Sequence, residues 1–267
     1  MNTRIKKRIK FREIKLTFSD DVPLLWFGGN NYLTCWLLNL SLILPALERL
    51  MIKTVKKYSS EIKDEDNLNN YKSFIRQEAQ HYKLHEEAND LFRRQGYQVD
   101  NEMKLIEYMI EKMELRFSDS TMLSACCFME HCTAVIGRYF LGNPNLTAKI
   151  HPDLRRLVQW HAAEEIEHKA VLHDIFMEVD GRYWKRMLGV FAVLFSGILM
   201  TKFRIFRLMN SNGSNTGVGE RLKAVRIMKR YSTSGRVLSL KLKDYIKPGY
   251  HPDDEDDYEL IEEWISV

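Results

Sequence analysis

Residues 74–85 read FIRQEAQHYKLH and residues 160–171 read WHAAEEIEHKAV, and these two stretches decide the predicted fold. Each contains a glutamate three residues before a histidine: Glu78 and His81 in the first, Glu165 and His168 in the second. Residues three apart on an α-helix lie on one face, with Cβ atoms about 5–6 Å apart, so one metal ion can bind both side chains. Apolar neighbours indicate that both motifs face a core, where a charge is costly unless a metal neutralises it.

Two further glutamates stand alone in apolar sequence. Glu48 is the only acidic residue in 22–60. Glu130 is the only acidic residue in 120–152. A lone buried carboxylate needs a partner or a metal, because unpaired burial is expensive. The order Glu, then Glu-x-x-His, therefore occurs twice along the chain, with similar gaps (48 to 78 and 130 to 165) that each suit one helix and a turn.

This order predicts a dinuclear metal site in a four-helix bundle. Bundles that hold two metal ions take one Glu from each of two helices and Glu-x-x-His from the other two. The predicted ligands are Glu48, Glu78, His81, Glu130, Glu165 and His168. Two divalent ions balance four carboxylates, with both histidines neutral. Oxygen and imidazole donors suit iron, which we predict, and the same donors fit manganese or zinc.

Three neighbours stay open as extra ligands or as groups that orient the ligands. Glu164 lies beside Glu165 and can replace it, although Glu165 repeats the spacing of the first motif. His85 lies one turn after the first motif and His161 one turn before the second. For both, an ordinary hydrogen-bonded histidine is the favoured interpretation. His131 follows a predicted ligand directly, points about 100° away from it, and is not a predicted ligand.

The chain as a whole is predicted to be all-α. Prolines and glycines are sparse, six and thirteen in 267 residues, and apolar residues recur three and four apart. We predict a ferritin-like four-helix bundle with additional C-terminal helices. Predicted helices cover about 31–58, 67–95, 101–116, 120–141, 152–179, 182–209 and 218–233. Pro45 predicts a kink or a new helix start in the first of them.

Charge divides the chain into three predicted parts: a basic arm and irregular lead-in at 1–29, the metal-binding bundle at 30–210, and a C-terminal helix with an acidic tail at 211–267. Residues 4–15 carry seven Lys/Arg, and residues 253–263 carry eight acids. A basic arm can contact phosphate head groups, or it can be a solvated end. With a net charge of +4 and no phosphate-binding glycine loop, no nucleic acid partner and no nucleotide are expected.

The four cysteines, Cys35, Cys126, Cys127 and Cys132, form no paired Cys-x-x-Cys array. No secretory signal precedes them, so reduced thiols and a cytoplasmic location are expected, with contact at the inner face of the membrane as an added option. Cys126 and Cys127 are predicted to pack in the core.

At these residues the sequence resembles a bacterial family described as "predicted metal-dependent hydrolase". The resemblance is carried by residues 74–85, by MEHCTAV at 129–135 and by residues 160–171, and it covers about 15–240. LPALERL at 44–50 resembles the family's first motif, although Leu47 stands where a glycine commonly precedes the glutamate. The resemblance implies a ferritin-like bundle with a metal centre.

Three functions fit such a centre. The first is a di-iron oxidase or oxygenase, which would need electrons from a separate reductase. The second is a hydrolase that uses a metal-activated water. The third is a non-catalytic metal carrier. On the donor set, oxygen activation is the favoured prediction, with hydrolysis as the alternative.

Two apolar stretches bear on the substrate. Residues 187–201 form a 15-residue apolar run flanked by Lys and Arg, too short for the ~20 residues that span a bilayer. It can be a buried bundle helix, a homodimer contact or a membrane-surface helix. The other stretch, 32–47, leads directly to Glu48. Together they predict an apolar channel and a small, lipid-like substrate.

Overall fold

The computed structural model describes residues 7–211 and 243–265, with 213, 217–219, 222, 223, 225 and 226; for 196–200 and 265 it describes the backbone alone. Regular structure in these residues is helical, apart from an isolated β-bridge between Phe27 and Ile150. The predicted all-α class is confirmed. Most of the helix predicted at 218–233 lies outside the described residues.

The helices follow the predicted ones closely. They are α1 (Asn31–Lys56), α2 (Glu65–Arg94), α3 (Val99–Arg116), α4 (Asp119–Leu141), α5 (Pro144–Thr147), α6 (Pro152–His168), α7 (Val171–Val179) and α8 (Tyr183–Ser211). In the tail, 3-10 helices at Pro252–Asp254 and Tyr258–Ile261 precede a last helical turn, Glu262–Ile265.

Short polar side chains start the ligand-bearing helices α1, α2 and α4. Asn30 accepts a hydrogen bond from the third backbone N–H of its helix at 3.0 Å, and Asp64 does the same at 2.9 Å. Ser118 caps α4 in the same way. Each cap satisfies one of the N–H groups that a helix start leaves without an intrahelical partner.

One expectation about helix continuity was wrong, and another is narrowed. α1 runs through Pro45 as one helix, so of the two predicted alternatives, a kink or a new helix start, the second is excluded. The helix predicted over 152–179 breaks at Lys169 and Ala170, which separate α6 from α7. Lys169 is buried and its Nζ donates to the backbone oxygen of Glu255 at 2.7 Å. The break thus coincides with a long-range contact to the tail, which a local apolar period cannot reveal.

Four helices surround the predicted ligands in a closed ring: α1 packs on α2, α2 on α6, α6 on α4, and α4 on α1. α8 packs outside this ring against α4 and α1, and its approach to α4 is close. A Cβ added at Gly189 would lie 2.6 Å from the backbone nitrogen of Ala125. The ring is the arrangement that a ferritin-like bundle requires; the ferritin-like class itself stays a prediction.

The two charged ends pack against the bundle. In the basic arm, the Arg12 guanidinium makes a two-pronged ion pair with Glu167, at 2.8 and 2.9 Å. In the tail, Asp257 pairs with the buried Lys169. The described parts of both ends are therefore bound segments, which corrects the interpretation of the basic arm as a solvated end.

His251 fixes the tail to α7. Its Nδ1 accepts the backbone N–H of Asp253 at 3.1 Å, so its Nε2 carries the proton and donates to Asp174 at 2.8 Å. His173 lies beside this pair, with ring centroids of the two histidines 5.0 Å apart. Because the lone pair of His251 is already used, the cluster is a tail anchor in this geometry.

Among the described helices, α1 alone is long and apolar enough to cross a bilayer by length and composition. Its most apolar window is 61% buried inside the bundle, as in the core helix of a folded domain. The predicted cytoplasmic location and the three-part division of the chain stay predictions.

Candidate metal centre

The six predicted ligands come together in the middle of the four-helix ring. α1 supplies one glutamate and α4 another, while α2 and α6 each supply a glutamate and a histidine. All six side chains are buried, with at most 3% of any residue exposed: Glu48, Glu78, His81, Glu130, Glu165 and His168. Four buried carboxylates at one place require neutralisation by protons or cations.

The two Glu-x-x-His motifs face each other. One donor atom from each of Glu78, His81, Glu165 and His168 lies within 4.8 Å of all the others. The Nδ1 atom of His81 is 3.8 Å from Glu78 and 3.7 Å from Glu165. The Nε2 atom of His168 is 3.5 Å from Glu78. A metal ion between these atoms would have two nitrogen and two oxygen donors.

Many donor atoms here form no hydrogen bond. They include both carboxylate oxygens of Glu48 and of Glu78, Nδ1 of His81 and Nε2 of His168. Burial, the largest cause, raises the pKa of Glu48 well above its usual value. A buried polar atom without a partner costs about 1–3 kcal/mol. Metal binding would remove that cost, so the residues present fit a divalent metal centre.

Glu164 orients His81 from behind. The Nε2–H group of His81 donates to Glu164 at 2.9 Å, so Nδ1 is the nitrogen that faces the centre and that a metal would bind. The ring of Trp160 meets His81 edge-on, with centroids 4.9 Å apart. Glu165 lies among the donors and Glu164 lies outside them, in keeping with the spacing argument.

A chain of hydrogen bonds points His161 at the same centre. Ser41 donates to Asn89 Oδ1 at 3.1 Å, so its oxygen accepts from His85 Nδ1 at 3.0 Å. His85 Nε2 then accepts from His161 Nδ1 at 3.1 Å. The remaining nitrogen of His161, Nε2, lies 2.9 Å from Glu165 and can donate to it in the metal-free chain; with the proton on Nδ1 instead, Nε2 offers a lone pair to a metal.

This chain distinguishes the two extra histidines. His85 uses both nitrogens and is an orienting group, as an ordinary hydrogen-bonded histidine would be. His161 offers Nε2 when its proton is on Nδ1, which makes it a candidate seventh ligand. Glu48 has a donor oxygen within 4.8 Å of both rings. Sequence spacing placed Glu48, His85 and His161 near the site. It could not show which of the two histidines has a nitrogen available to a metal.

Glu130 reaches the centre through His168. One oxygen of Glu130 contacts His168 Nδ1, while the other has no hydrogen-bond partner. Thr133, one turn later on α4, donates to Glu165 and lies 2.8 Å from the backbone oxygen of Glu130. α4 therefore holds both a candidate ligand and a hydroxyl that orients another.

His85 and His161 differ from His168 in charge in the metal-free chain. Burial lowers the pKa of His85 well below its usual value, and burial also lowers the pKa of His161, so both are neutral at pH 7. Burial opposes charge on His168 as well, yet the carboxylate of Glu130 raises its pKa to about 10. A proton therefore occupies a position that a metal would take.

The other singled-out residues lie away from the centre. His131 faces the tail, where its Nδ1 is 3.1 Å from the hydroxyl of Tyr250, as expected for a residue that points away from Glu130. Cys126 and Cys127 are buried in the apolar core, as predicted.

Two apolar cavities lie side by side near the centre. The first, of about 80 Å³, has His85 and His161 in a wall that is otherwise almost wholly apolar. The second, of about 230 Å³, lies between α1, α3, α4 and α8. Four residues line both cavities: Leu40, Leu44, Thr133 and Ile136. The two cavities therefore share a wall, between α8 and the candidate ligands.

The family comparison agrees with this metal-binding geometry. A family model described as "Predicted metal-dependent hydrolase" matches residues 10–256. The chain belongs to this family. The match extends beyond the range of 15–240 expected from the motifs and takes in much of the basic arm and the start of the acidic tail. No curated protein and no solved structure matches this member of the metal-dependent hydrolase family.

Sequence reasoning missed Ser41, Asn89 and Thr133. Their spacing carried a signal, because Ser41 is seven residues before Glu48 and Asn89 four after His85, each on the face of a singled-out residue. Small polar residues are common on helices, however, and only their partners show what they do.

Proposed function

We propose that the chain is a dinuclear metal-dependent hydrolase that acts on an ester or a similar acyl bond of an apolar substrate. The proposed ligands are the six predicted residues and His161: Glu48, Glu78, His81, Glu130, His161, Glu165 and His168. Iron is the metal that we favour, and manganese or zinc fits the same donors. When bound, two such ions would make a hydroxide available near neutral pH and polarise the bond under attack.

The observation that carries this proposal is the convergence of buried donor atoms without hydrogen bonds from four helices. An ordinary structural network would satisfy these atoms with one another. Here Glu164 bonds to Nε2 of His81, and His85 bonds to Nδ1 of His161. Both are nitrogens that point away from the centre. The family description supports hydrolysis as the use of such a centre.

The protein's own groups would hold the reactants in place. Glu164 and His85 fix the tautomers of two candidate ligands, and Thr133 fixes one carboxylate of a third. The apolar cavities support an apolar acyl or alkyl group, since a charged group would lose hydration there without compensation. The balanced reaction is ester plus water to acid plus alcohol, and it needs no oxidant or reductant.

Our first prediction from sequence, oxygen activation by two irons, finds no support in the comparisons. Hydrolysis, the alternative, agrees with the family description. An electron-donating reductase is not required by the hydrolytic proposal. Oxygen consumption therefore becomes a control measurement.

The test begins with metal analysis of protein from iron-replete cells, followed by reconstitution with iron, manganese or zinc. Each form is assayed on nitrophenyl esters of short and long acyl chains. We expect about two metals per chain and faster hydrolysis of the longer chains. Glu48→Ala and His168→Ala should lose metal and activity. Glu87→Ala and His151→Ala, at partly exposed positions outside the site, should lose neither.

The hydrolase proposal fails if protein with two metals cleaves no ester in the series. If the iron form instead consumes oxygen with a transient absorbance, the oxidase hypothesis replaces the hydrolase proposal. Absence of bound metal in every reconstitution would overturn the metal centre itself.

A further inference from the structure

One face of α8 is apolar and exposed. Trp184, Phe191, Phe195 and Lys202 follow one another at spacings of seven, four and seven residues, which places them on a single side of the helix. Phe195 is 75% exposed and Phe191 is 58% exposed, and their rings stack on each other. We call these four residues the α8 face. The opposite side of α8 is buried, so the α8 face is not part of the core.

The charges of α8 limit the class of partner that the α8 face can bind. α8 contains no acidic residue, and exposed or half-exposed cations stand near both of its ends, Lys185 and Lys202 among them. The two cations at Arg204 and Arg207 are partly neutralised by the buried Glu102, with which both form ion pairs at 3.0 Å. The surface therefore combines aromatic side chains with a positive potential.

A second copy of the chain fits this face poorly. Lys202 lies on the α8 face, so a parallel pairing of two α8 helices would bring each Lys202 against its own counterpart. Like charges brought together in an apolar contact are unfavourable. An anionic lipid surface suits both features, since apolar side chains enter the head-group boundary while lysines extend to the phosphates.

The larger cavity lies on the other side of α8. Val193, Thr201 and Arg204, on the buried side of the helix, form part of the wall of the 230 Å³ cavity. We propose that the α8 face binds the surface of an anionic lipid bilayer, which would hold the protein where an apolar substrate is dissolved. Membrane binding is independent of the proposed hydrolysis, and only the delivery of substrate rests on it.

Vesicle co-sedimentation of the full chain tests the binding. Vesicles of phosphatidylcholine alone are compared with vesicles that also contain phosphatidylglycerol, at low and high salt. We expect binding to the anionic vesicles that weakens with salt. Phe195→Ser should weaken it about tenfold, since a buried Phe contributes roughly 1.5–3 kcal/mol and 1.4 kcal/mol is tenfold. Lys202→Glu should weaken it about fivefold or more, at ~1 kcal/mol for each cation.

Matched controls lie on α3. Leu115→Ser removes an exposed apolar side chain, and Lys104→Glu reverses an exposed charge, both away from the α8 face. Neither should change vesicle binding. The α8 face would not be the lipid-binding surface if the control variants lost as much vesicle binding as Phe195→Ser, or if Phe195→Ser left vesicle binding intact.

Sedimentation velocity tests whether a second copy of the chain, and not lipid, covers the α8 face. If the chain binds no vesicles and is a dimer that Phe195→Ser converts to a monomer, a second copy covers the α8 face and the lipid proposal is wrong. A monomer that binds no vesicles also refutes it. Ester hydrolysis by detergent-free protein tests the catalytic proposal separately, so either proposal can fail alone.

Discussion

Ser41→Ala should weaken metal binding while leaving the fold intact. In the wild-type chain the Ser41 oxygen accepts the Nδ1 proton of His85 at 3.0 Å, which makes His85 Nε2 the acceptor for His161. When His161 Nε2 binds a metal, His161 Nδ1–H donates to His85 Nε2, so the proton of His85 must be on Nδ1. Without the Ser41 oxygen that Nδ1–H group has no acceptor. The metal-free chain avoids the cost by reversing both tautomers, since His161 Nε2 can then donate to Glu165, 2.9 Å away.

The cost therefore falls on metal affinity. A buried donor left without a partner costs about 1–3 kcal/mol. At 1.4 kcal/mol for each factor of ten, that corresponds to roughly 5- to 150-fold weaker binding of the ion that His161 holds. The thermal midpoint of the metal-free protein should stay close to that of the wild type, because its hydrogen bonds rearrange without loss.

Competition with a chelator measures the affinity, and nitrogen-15 shifts of the imidazoles in zinc-loaded protein report the tautomers. Ser41→Thr retains the hydroxyl next to a cavity and should retain the affinity. Ser73→Ala, partly exposed on α2, is the matched control. If Ser41→Ala binds both ions as tightly as the wild type and His161 keeps its proton on Nδ1, the orienting chain has no role and the reasoning is refuted.

Three further predictions concern the ligand shell and the fold. Glu164→Gln replaces a charged acceptor of His81 and should lower metal affinity about 10- to 100-fold by chelator competition, with the metal count retained; loss of one equivalent would make Glu164 a ligand. Gly189→Ala should destabilise the protein by about 1–3 kcal/mol in thermal unfolding, since the new Cβ would press on α4, and an unchanged midpoint would contradict that close approach. Although burial opposes it, hydrogen bonds from Asn67 and two backbone N–H groups lower the pKa of Glu178. Its stabilisation is therefore present above the ordinary carboxyl pKa of about 4.3 and lost as pH falls through the lowered value. Because Glu178 is exposed, Glu178→Gln should cost less than about 1 kcal/mol at pH 7 and nothing near pH 2, as measured by denaturant titration at both values.

The sequence by itself determined the helices and the inventory of the centre. Both follow from local rules: apolar period sets each helix, and the i, i+3 spacing of Glu78 and His81 sets which side chains share a face. The lone acids Glu48 and Glu130 were informative because burial of a carboxylate is costly wherever the helix packs. These arguments need no knowledge of which helices are neighbours.

Only the tertiary structure decided the roles of the remaining groups. Whether His85 or His161 offers a nitrogen depends on Ser41, which is more than forty residues away on another helix. The break at Lys169 coincides with a bond to Glu255 in the tail. The apolar cavities and the exposure of Phe195 likewise depend on how α8 packs. Spacing along one helix fixes the direction of a side chain, but hydrogen-bond partners, cavities and exposed faces arise from contacts between helices, which no local pattern encodes.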